Sequence, residues 1–330
     1  MSQIDQRDSS SKAIPARRKL VTKPSSLGDK IFYRVAATAA NFSIALVALI
    51  LVFLVYRSWP ALETQGIDFV FGSNWDATAE KPVFQIWPML WGSFLISALG
   101  VLIAVPMAIA VAYFIEFLAA RPIAKTATVL IDLLASLPSV VLGLWGFAVF
   151  TPIAAGWGEL LNQYFGWIPI FENNTEGFVA SPFIAGWIVG IMIVPIIASI
   201  SREIFSQIDK DLINAAKGLG GSSATIFRQV ILPTASGGVV GGVLLGLGRA
   251  LGETVAIFFV LNLVFETNWF SILEQRGGSI ASHILARFGE ATQAEISALM
   301  AAGLVLFVMT LIINVIASWI VNKAQPWRKN

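Results

Sequence analysis

The 330-residue chain has no cysteine and a single histidine, His283. Without cysteine it can form no disulfide, hold no metal through thiolates and offer no thiol nucleophile. One imidazole falls short of the several ligands that a metal site needs. The sequence therefore excludes most metal and acid-base chemistry. We predict that His283 is an ordinary loop residue and that the chain holds no metal and no cofactor.

Charged residues are also scarce. Asp, Glu, Lys and Arg make up 13% of the chain, hydrophobic residues make up 56%, and the mean hydropathy is +0.76. Charged residues reach about 25% in an average soluble domain, and a soluble fold of this size could not bury so much apolar surface. A chain whose surface meets lipid needs no such burial. The net charge of +2 gives no sign of a nucleic-acid partner, so the composition predicts a protein of the lipid bilayer.

Six apolar runs are long enough to cross a bilayer, because a hydrocarbon core of about 30 Å requires roughly 20 residues of helix. They are residues 35–56, 93–115, 133–155, 183–200, 237–265 and 296–321. The first run is too long for the core of a signal peptide and is predicted to be a retained span. The polar residues 1–34 are predicted to be a disordered tail. The predicted fold class is therefore an all-α polytopic membrane protein, with its transmembrane domain at residues 35–330.

Positive charge sets the predicted orientation, because short cytoplasmic loops carry an excess of Lys and Arg. Lys and Arg concentrate in the N-terminal tail, at residues 121–125, in the 201–236 segment and after the last span, whereas acidic residues predominate in the other loops. Both termini are therefore predicted to be cytoplasmic, in the cell (inner) membrane. The external loops are rich in Trp, and we assign those side chains to the aromatic belt of the membrane interface.

The longest predicted inner segment, residues 201–236, is expected to fold into two short helices. Residues 209–217 have a helix-forming composition with acids leading, which suits the positive end of a helix. The glycine-rich stretch 218–221 then ends this helix, and Ser222 or Ser223 can cap a second one. We predict that the two helices lie at an angle and project from the membrane.

Within this segment, residues 214–233 read N-A-A, three residues, G, nine residues, V-I-L-P. The pattern resembles the EAA loop of ABC-importer permeases, whose signature is E-A-A, three residues, G, nine residues, I-x-L-P. The spacing is kept throughout, while Asn214 replaces the usual Glu and Val230 the usual Ile. In that family the loop is a coupling helix that docks into a groove of the ATPase subunit. The residues that the resemblance assigns to ATPase coupling are Asn214, Ala215, Ala216, Gly220, Leu232 and Pro233.

Two further stretches strengthen the resemblance, SLPSVVLGLWG at residues 136–146 and GLGRALGETVAI at residues 246–257. Both resemble the PstC-type permeases of phosphate-specific ABC importers, and the resemblance extends over about residues 90–321. It implies the type I ABC-importer permease fold. It also implies an assembly with a second permease of the PstA type, two ATP-binding subunits and an external phosphate-binding protein. The chain has no Walker A motif, so we predict no ATPase site of its own.

Arg249 and Glu253 are the only two charged residues placed deep in an apolar run. A charge near the bilayer centre costs about 2.5 kcal/mol or more, so both are expected to face protein or water and to pair with each other. A spacing of four places them on one helical face, together with Gly238, Gly242 and Gly246. Because glycines at this spacing let another helix approach closely, this face is predicted to meet a helix of a second permease subunit, with the two charges at the seam.

This pair permits two interpretations: a structural ion pair that fixes the helix register, or a lining for the path of an anion. The planar guanidinium of Arg249 matches the geometry of phosphate oxygens. Glu253 can accept the hydrogen bond of the proton that phosphate retains at neutral pH, whereas sulfate has no proton to donate. The resemblance favours the second interpretation, because the matching Arg and Glu of the family are implicated in transport.

Ser136 and Ser139 flank Pro138 in the third run and complete the predicted substrate path. A broken helix at this proline could present backbone N–H groups to an anion, as in transporters with discontinuous helices. A simple kink is the other interpretation and the one we expect. Pro106 and Pro195 are predicted to interrupt the second and fourth runs.

Other functions stay open at the level of the sequence. Within the same class, the chain could be a permease for another oxyanion such as sulfate or molybdate, or the PstA-type partner. An ion-coupled secondary transporter would predict several membrane-embedded acids or an inverted repeat, and we find one deep acid and no repeat. A channel would have no use for an EAA-like loop, and a membrane enzyme would need catalytic groups that the chain lacks.

Overall fold

The computed structural model describes residues 27–324. The chain divides into two compact units, one that ends at Phe53 and one that begins at Leu54. Six helical stretches of the described residues are long and apolar enough to span a membrane, which confirms the predicted number. They are Leu27–Gln65, Trp87–Leu118, Ser139–Phe165, Pro182–Ser206, Ser223–Gly252 and Gln293–Trp319.

The described residues form helices almost throughout. In chain order the elements are α1 Leu27–Gln65, α2 Asp68–Phe71, β1 Trp75–Asp76, β2 Val83–Phe84, α3 Trp87–Tyr113, α4 Arg121–Ser136, α5 Ser139–Trp145, α6 Thr151–Phe165, α7 Pro182–Ser206, α8 Lys210–Gly218, α9 Ser223–Ile226, α10 Leu232–Gly252, α11 Val255–Val260, α12 Ile280–Arg287 and α13 Gln293–Ala324. Three π-helical turns, Phe114–Leu118, Gly146–Phe150 and Phe227–Ile231, continue α3, join α5 to α6 and join α9 to α10. β1 and β2 form a short antiparallel hairpin in which Trp75 lies opposite Phe84.

Residues 27–53 form the described part of the first unit, and they lie in α1. Within residues 27–53, apolar side chains occur around the whole circumference of the helix, and none of the side chains is buried. Such a surface suits contact with lipid or with another helix. Because α1 begins at Leu27, part of the segment predicted as a disordered tail is helical. Residues 1–26 of that tail lie outside the described residues.

The helices α3 and α7 form the centre of the second unit, and glycines bring their backbones together. A Cβ atom added at Gly100 would lie 3.4 Å from the carbonyl oxygen of Gly186 and 3.4 Å from the amide nitrogen of Gly190. Small residues four apart allow this close approach of two membrane helices. Buried apolar side chains such as Ile96 and Ile193 form the main hydrophobic cluster around the crossing.

Only one of the three prolines predicted to interrupt a span does so. Pro106 and Pro195 lie inside the continuous helices α3 and α7. At Pro138, however, α4 ends and α5 begins, because Leu137 and Pro138 are both extended, with ψ of 132° and 136°. A residue before a proline avoids the α conformation, which explains the position of the break. The prediction of a simple kink at Pro138 is therefore wrong, and the third span starts at Ser139.

A second break interrupts the fifth span, where the sequence predicts one continuous helix. α10 ends at Gly252, Glu253 is extended with ψ of 124°, and α11 starts at Val255. The helix then ends at Val260, before the predicted end of the span. The prediction of an unbroken helix is wrong. No proline lies at the break, and Gly252 beside it is one of many glycines in this span, so its position alone does not show where the helix ends.

The two interrupted spans pack against each other just after their breaks. A Cβ atom added at Gly143 of α5 would lie 2.8 Å from the Cα atom of Ala256 in α11. One added at Gly146 would lie 3.4 Å from a side-chain atom of Val260. The two helices therefore run in the same direction, and both breaks lie on the same side of their contact.

The glycines of α10 have two different kinds of surroundings. Cβ atoms added at Gly238, Gly242 and Gly246 would lie 2.5, 3.1 and 2.9 Å from isoleucine side chains of α7. These glycines therefore let another helix approach closely, as predicted, but that helix is α7 of the same chain, and the prediction that it belongs to a second permease subunit is wrong. A Cβ atom at Gly248 or Gly252 would have no neighbour within 4 Å among the described residues. α10 carries glycine on two faces, and spacing alone does not distinguish them.

His283 lies in α12 and is buried, so the predicted loop position is wrong. Its ring makes edge-on contacts with Trp75, at 4.5 Å between ring centroids, and with Phe265, at 5.0 Å. Neither ring nitrogen has a hydrogen-bond partner within residues 27–324. Burial, and then the charge of Arg287, lowers the pKa of His283 to about 4, while Glu295 acts in the opposite direction. The neutral imidazole thus acts as a packing side chain.

We expect acid to destabilise the protein through this histidine. His283 takes up a proton below about pH 6.5 in the unfolded chain but only near pH 4 in the folded protein. The free energy of unfolding should therefore fall as the pH drops from 6.5 towards 4, by about 2 kcal/mol at pH 5. Thermal unfolding in detergent at neutral pH and at pH 5, compared with that of His283→Phe, measures this contribution. If His283→Phe loses as much stability between neutral pH and pH 5 as the original chain does, the proposed contribution of His283 is contradicted.

Candidate functional site

Arg249 lies on α10 in the last turn before the break, and its side chain is exposed. Arg276 and Arg287 form ion pairs among the described residues, whereas Arg249 takes part in none there. The predicted pairing with Glu253 is therefore wrong. Because α10 ends at Gly252, a spacing of four no longer places both side chains on one helical face. Within the described part of the chain, Arg249 is an unpaired cation on a membrane span.

Glu253 is 7% exposed and lies in the break itself. Its Oε1 atom accepts a hydrogen bond from the backbone N–H of Ala256, at 3.3 Å. This bond satisfies one of the free N–H groups in the first turn of α11. The hydroxyl of Thr254 donates to the carbonyl oxygen of Gly252 at 3.0 Å and also stabilises the break. Glu253 thus holds the start of α11 in place, a role that sequence reasoning missed.

Ser136 and Ser139 lie on either side of the other break. Ser136 is exposed, and its hydroxyl donates to the carbonyl oxygen of Leu133 at 2.7 Å. Ser139 is half-buried at the first residue of α5. Since α5 packs along α11, the structure brings the Ser139 break and the Glu253 break into the same part of the protein.

The segment of residues 201–236 contains the predicted first helix, α8. The side chain of Asp209 caps this helix by accepting a hydrogen bond from the N–H of Asp211 at 2.9 Å. Lys217 lies in the last turn, where a cation suits the negative end of a helix. The helix predicted at residues 209–217 is confirmed.

The glycine-rich end of α8 is a Schellman motif. Gly220 has a left-handed φ of +82°, which side chains with a Cβ atom rarely adopt. Its N–H donates to the carbonyl oxygen of Lys217 at 2.9 Å, and the N–H of Gly221 donates to that of Ala216 at 3.0 Å. These two bonds satisfy the last carbonyl groups of the helix. Gly220 therefore sets the direction in which the chain leaves α8.

The second short helix that we predicted is instead the start of the fifth span. Ser222 does cap it, by accepting a hydrogen bond from the N–H of Thr225 at 3.2 Å. From Ser223 the helix continues through a π-helical turn into α10, so the prediction of a separate helix is wrong. The π-helical turn interrupts the regular α-helical hydrogen bonds just before Pro233. The proline ring would disrupt those bonds in an unbroken α-helix. Leu232 and Pro233 are both half-buried.

α8 lies on an apolar cluster and exposes part of its motif. Ile213 is buried and packs in a cluster that includes Phe205, near the end of α7. Asn214 and Ala215 are exposed, and Ala216 is half-buried. The predicted coupling residues at the start of the motif therefore form an outward surface on a firmly packed base.

Leu219, beside the glycine turn, is a residue that sequence reasoning missed. Its side chain is 90% exposed, a larger fraction than that of any other large apolar residue in the described part of the chain. The signal is present in the sequence, because a leucine between glycines in a polar segment has no neighbouring apolar run to join. An apolar side chain held out from a packed helix is typical of a contact with a partner.

Comparison with known proteins places these features in a family. The chain matches the family described as binding-protein-dependent transport system inner membrane component over residues 104–329. It is 34% identical over 316 residues to the phosphate transport system permease protein PstC of Pasteurella multocida, an alignment that covers 94% of this chain and 98% of the relative. It is also 36% identical over 300 residues to PstC of Haemophilus influenzae, and this alignment covers 90% of this chain and 94% of the relative.

A solved structure shows the same fold. In a bacterial alginate ABC transporter in complex with an alginate pentasaccharide-bound periplasmic protein, one chain superposes with a TM-score of 0.60 at 16% identity, over 91% of this chain and 96% of that chain. This likeness confirms the type I ABC-importer permease fold, and members of the family are transport subunits with several spans in the inner membrane. The chain therefore belongs to the family of binding-protein-dependent transport system inner membrane components, and within it to the PstC-type permeases.

Proposed function

We propose that this chain is the permease subunit of an ATP-driven importer of inorganic phosphate and forms half of its translocation path. Relatives that align over about nine tenths or more of both chains are named phosphate transport system permeases. The observation in the chain itself that carries the proposal is Arg249, a guanidinium on an exposed face of a membrane span that forms no ion pair within residues 27–324. Arginine binds phosphate oxygens through two parallel hydrogen bonds.

The exposed side of α10 suits a path shared with a second chain. A charge on a membrane span must face water or protein, because contact with lipid costs at least about 2.5 kcal/mol. Gly248 and Gly252 leave the surface beside Arg249 open, so that a second permease can approach and a water-filled path can form between the two chains. Ser136 and Ser139, at the other break, complete the proposed path.

Glu253 is proposed to distinguish phosphate from sulfate. One of its carboxylate oxygens is engaged by the N–H of Ala256, which leaves the other oxygen for a ligand. Phosphate retains a proton at neutral pH that this oxygen can accept, whereas fully ionised sulfate meets only repulsion. Along the proposed path the anion would meet a donor, Arg249, and an acceptor, Glu253.

α8 is proposed to dock onto an ATP-binding subunit on the cytoplasmic side. The excess of Lys and Arg in the predicted inner segments supports a cytoplasmic position for α8 and for both termini. α8 exposes Asn214 and Ala215, rests on the buried Ile213 and ends at the fixed turn of Gly220. A movement of α8 is therefore passed to α7 and α10 as a rigid-body shift.

The proposed assembly contains a second permease of the PstA type, two ATP-binding subunits and an external phosphate-binding protein. The chain has no Walker A sequence, so we assign ATP hydrolysis to another subunit. Acidic residues predominate in the proposed external loops, and their field repels free phosphate rather than gathering it. Delivery by a binding protein overcomes this repulsion.

The substrate and the coupling are tested together on the purified complete transporter. Its ATPase activity is measured with the binding protein loaded in turn with phosphate, sulfate and molybdate, and we expect stimulation by the phosphate-loaded protein alone. Stimulation by molybdate or sulfate but not by phosphate would make the substrate proposal wrong. A complex that hydrolyses ATP but responds to none of the three would contradict the coupling proposal.

A further inference from the structure

α8 presents an apolar stripe on the side that faces away from the protein. Leu212, Ala215 and Leu219 follow one another at spacings of three and four residues, which places them on one helical face. All three are exposed, Leu212 by 45% and Leu219 by 90%. Ile213, on another face, is buried in the cluster against which α8 packs. A helix that buries one apolar face and exposes a second has a surface suited to a partner.

Leu219 is held in position by the end of the helix. Its N–H donates to the carbonyl oxygen of Ala215 at 3.1 Å. The two residues that follow close the Schellman motif, with the N–H of Gly220 bonded to Lys217 at 2.9 Å. A side chain on a fixed backbone loses less conformational freedom when a partner binds it.

The polar residues around the stripe provide no excess of charge. Asn214 carries an uncharged amide, and the acids Asp209 and Asp211 balance the bases Lys210 and Lys217. Long-range attraction to a charged partner is therefore weak here. Apolar contact is the remaining source of affinity on this face of α8.

We infer that Leu219, with Leu212 beside it, is the anchor that α8 inserts into an apolar cleft of the ATP-binding subunit, and that Asn214 contributes less to this contact. The inference rests on the proposed docking role of α8. A protein cleft suits the stripe better than the bilayer does, because binding to the negative inner membrane surface depends on a cluster of Lys and Arg, and the charges around the stripe balance. Full burial of one leucine corresponds to about 10- to 100-fold in affinity.

Binding of the purified ATP-binding subunit to the assembled permease pair in detergent tests this inference. Leu219→Ser should weaken binding by about 10-fold or more, whereas Leu219→Met, which keeps the apolar volume, should bind nearly as well as the original chain. Asn214→Ala should weaken binding less than Leu219→Ser does. Leu118→Ser is the matched control, because Leu118 is a leucine 59% exposed on the same proposed side but outside α8. Normal binding by Leu219→Ser, or an equal loss in Asn214→Ala, would overturn the inference.

The absence of native cysteine permits a second, direct measurement. Leu219→Cys and Leu118→Cys each introduce one thiol, whose labelling by a maleimide is followed with and without the ATP-binding subunit. We expect the subunit to slow labelling at position 219 by at least about 10-fold and to leave position 118 unchanged.

The possible outcomes separate this inference from the proposed docking role. Unchanged labelling at position 219 in a complex that still shows stimulated ATPase activity would overturn the anchor and leave the coupling intact. Protection at position 219 by lipid nanodiscs alone, without the subunit, would assign the stripe to the bilayer and also overturn the anchor. A permease pair that does not bind the subunit at all would instead overturn the docking role itself.

Discussion

Phosphate uptake should fall by about 100-fold when Arg249 is replaced by Gln in the assembled transporter. The reason is that Arg249 lies on the exposed side of α10 without an ion-pair partner among the described residues, and we propose that its guanidinium binds two oxygens of phosphate. Two charge-assisted hydrogen bonds are together worth at least about 3 kcal/mol, which corresponds to this factor. Uptake of radioactive phosphate by cells that lack other phosphate transporters measures the effect.

Two comparisons make this result specific to the guanidinium. Arg249→Lys keeps the positive charge but loses the planar pair of donors, so its uptake should lie between those of the original chain and Arg249→Gln. Arg121→Gln removes an exposed arginine at the start of α4, outside the proposed path, and serves as the matched control. Normal uptake by Arg249→Gln would contradict the proposed path. An equal loss in Arg121→Gln would show that the effect is not specific to the path.

The six spans and α8 could be predicted from the sequence because their signals are local. A run of roughly 20 apolar residues has few alternatives to a membrane helix, whatever surrounds it. The ends of α8 are similarly determined within a few residues, by the carboxylate of Asp209 at its start and by the left-handed Gly220 after its end. The same locality explains why the spacing of the motif at residues 214–233 was sufficient to indicate the family.

The breaks and the contacts between spans depend on tertiary structure, and the sequence did not determine them. A proline such as Pro138 is compatible with a kink and with a break, and the break at Glu253 has no proline. The expected ion pair of Arg249 assumed an unbroken helix. His283 is packed against Trp75 and Phe265, which come from other parts of the sequence. The residues next to His283 in the sequence therefore gave no sign that it lies in a buried helix.

Glu253→Gln and Glu253→Ala should have different effects, because the carboxylate has two separate tasks. Its Oε1 atom accepts the N–H of Ala256 and so stabilises the start of α11, while the other oxygen is proposed to accept the proton of phosphate. Glutamine keeps an oxygen for the N–H of Ala256 but has no negative charge. Alanine removes both the acceptor and the charge.

We expect Glu253→Gln to lower phosphate uptake by about 10-fold, because a charge-assisted hydrogen bond is roughly twice as strong as a neutral one. It should also permit measurable sulfate uptake, because the charge that repels sulfate is removed. Glu253→Ala should lower phosphate uptake by about 100-fold, since it additionally leaves a buried N–H without a partner, at a cost of about 1–3 kcal/mol.

Uptake of radioactive phosphate and sulfate, together with the thermal stability of each purified variant, separates the two tasks. A loss of stability in Glu253→Ala but not in Glu253→Gln reports the bond to Ala256. If Glu253→Gln transports phosphate at the original rate and still excludes sulfate, the carboxylate only stabilises the start of α11 and its role as a filter is wrong. Selection against sulfate would then have to occur before the membrane, at the protein that delivers the anion, and Arg249 would bind whichever oxyanion is delivered.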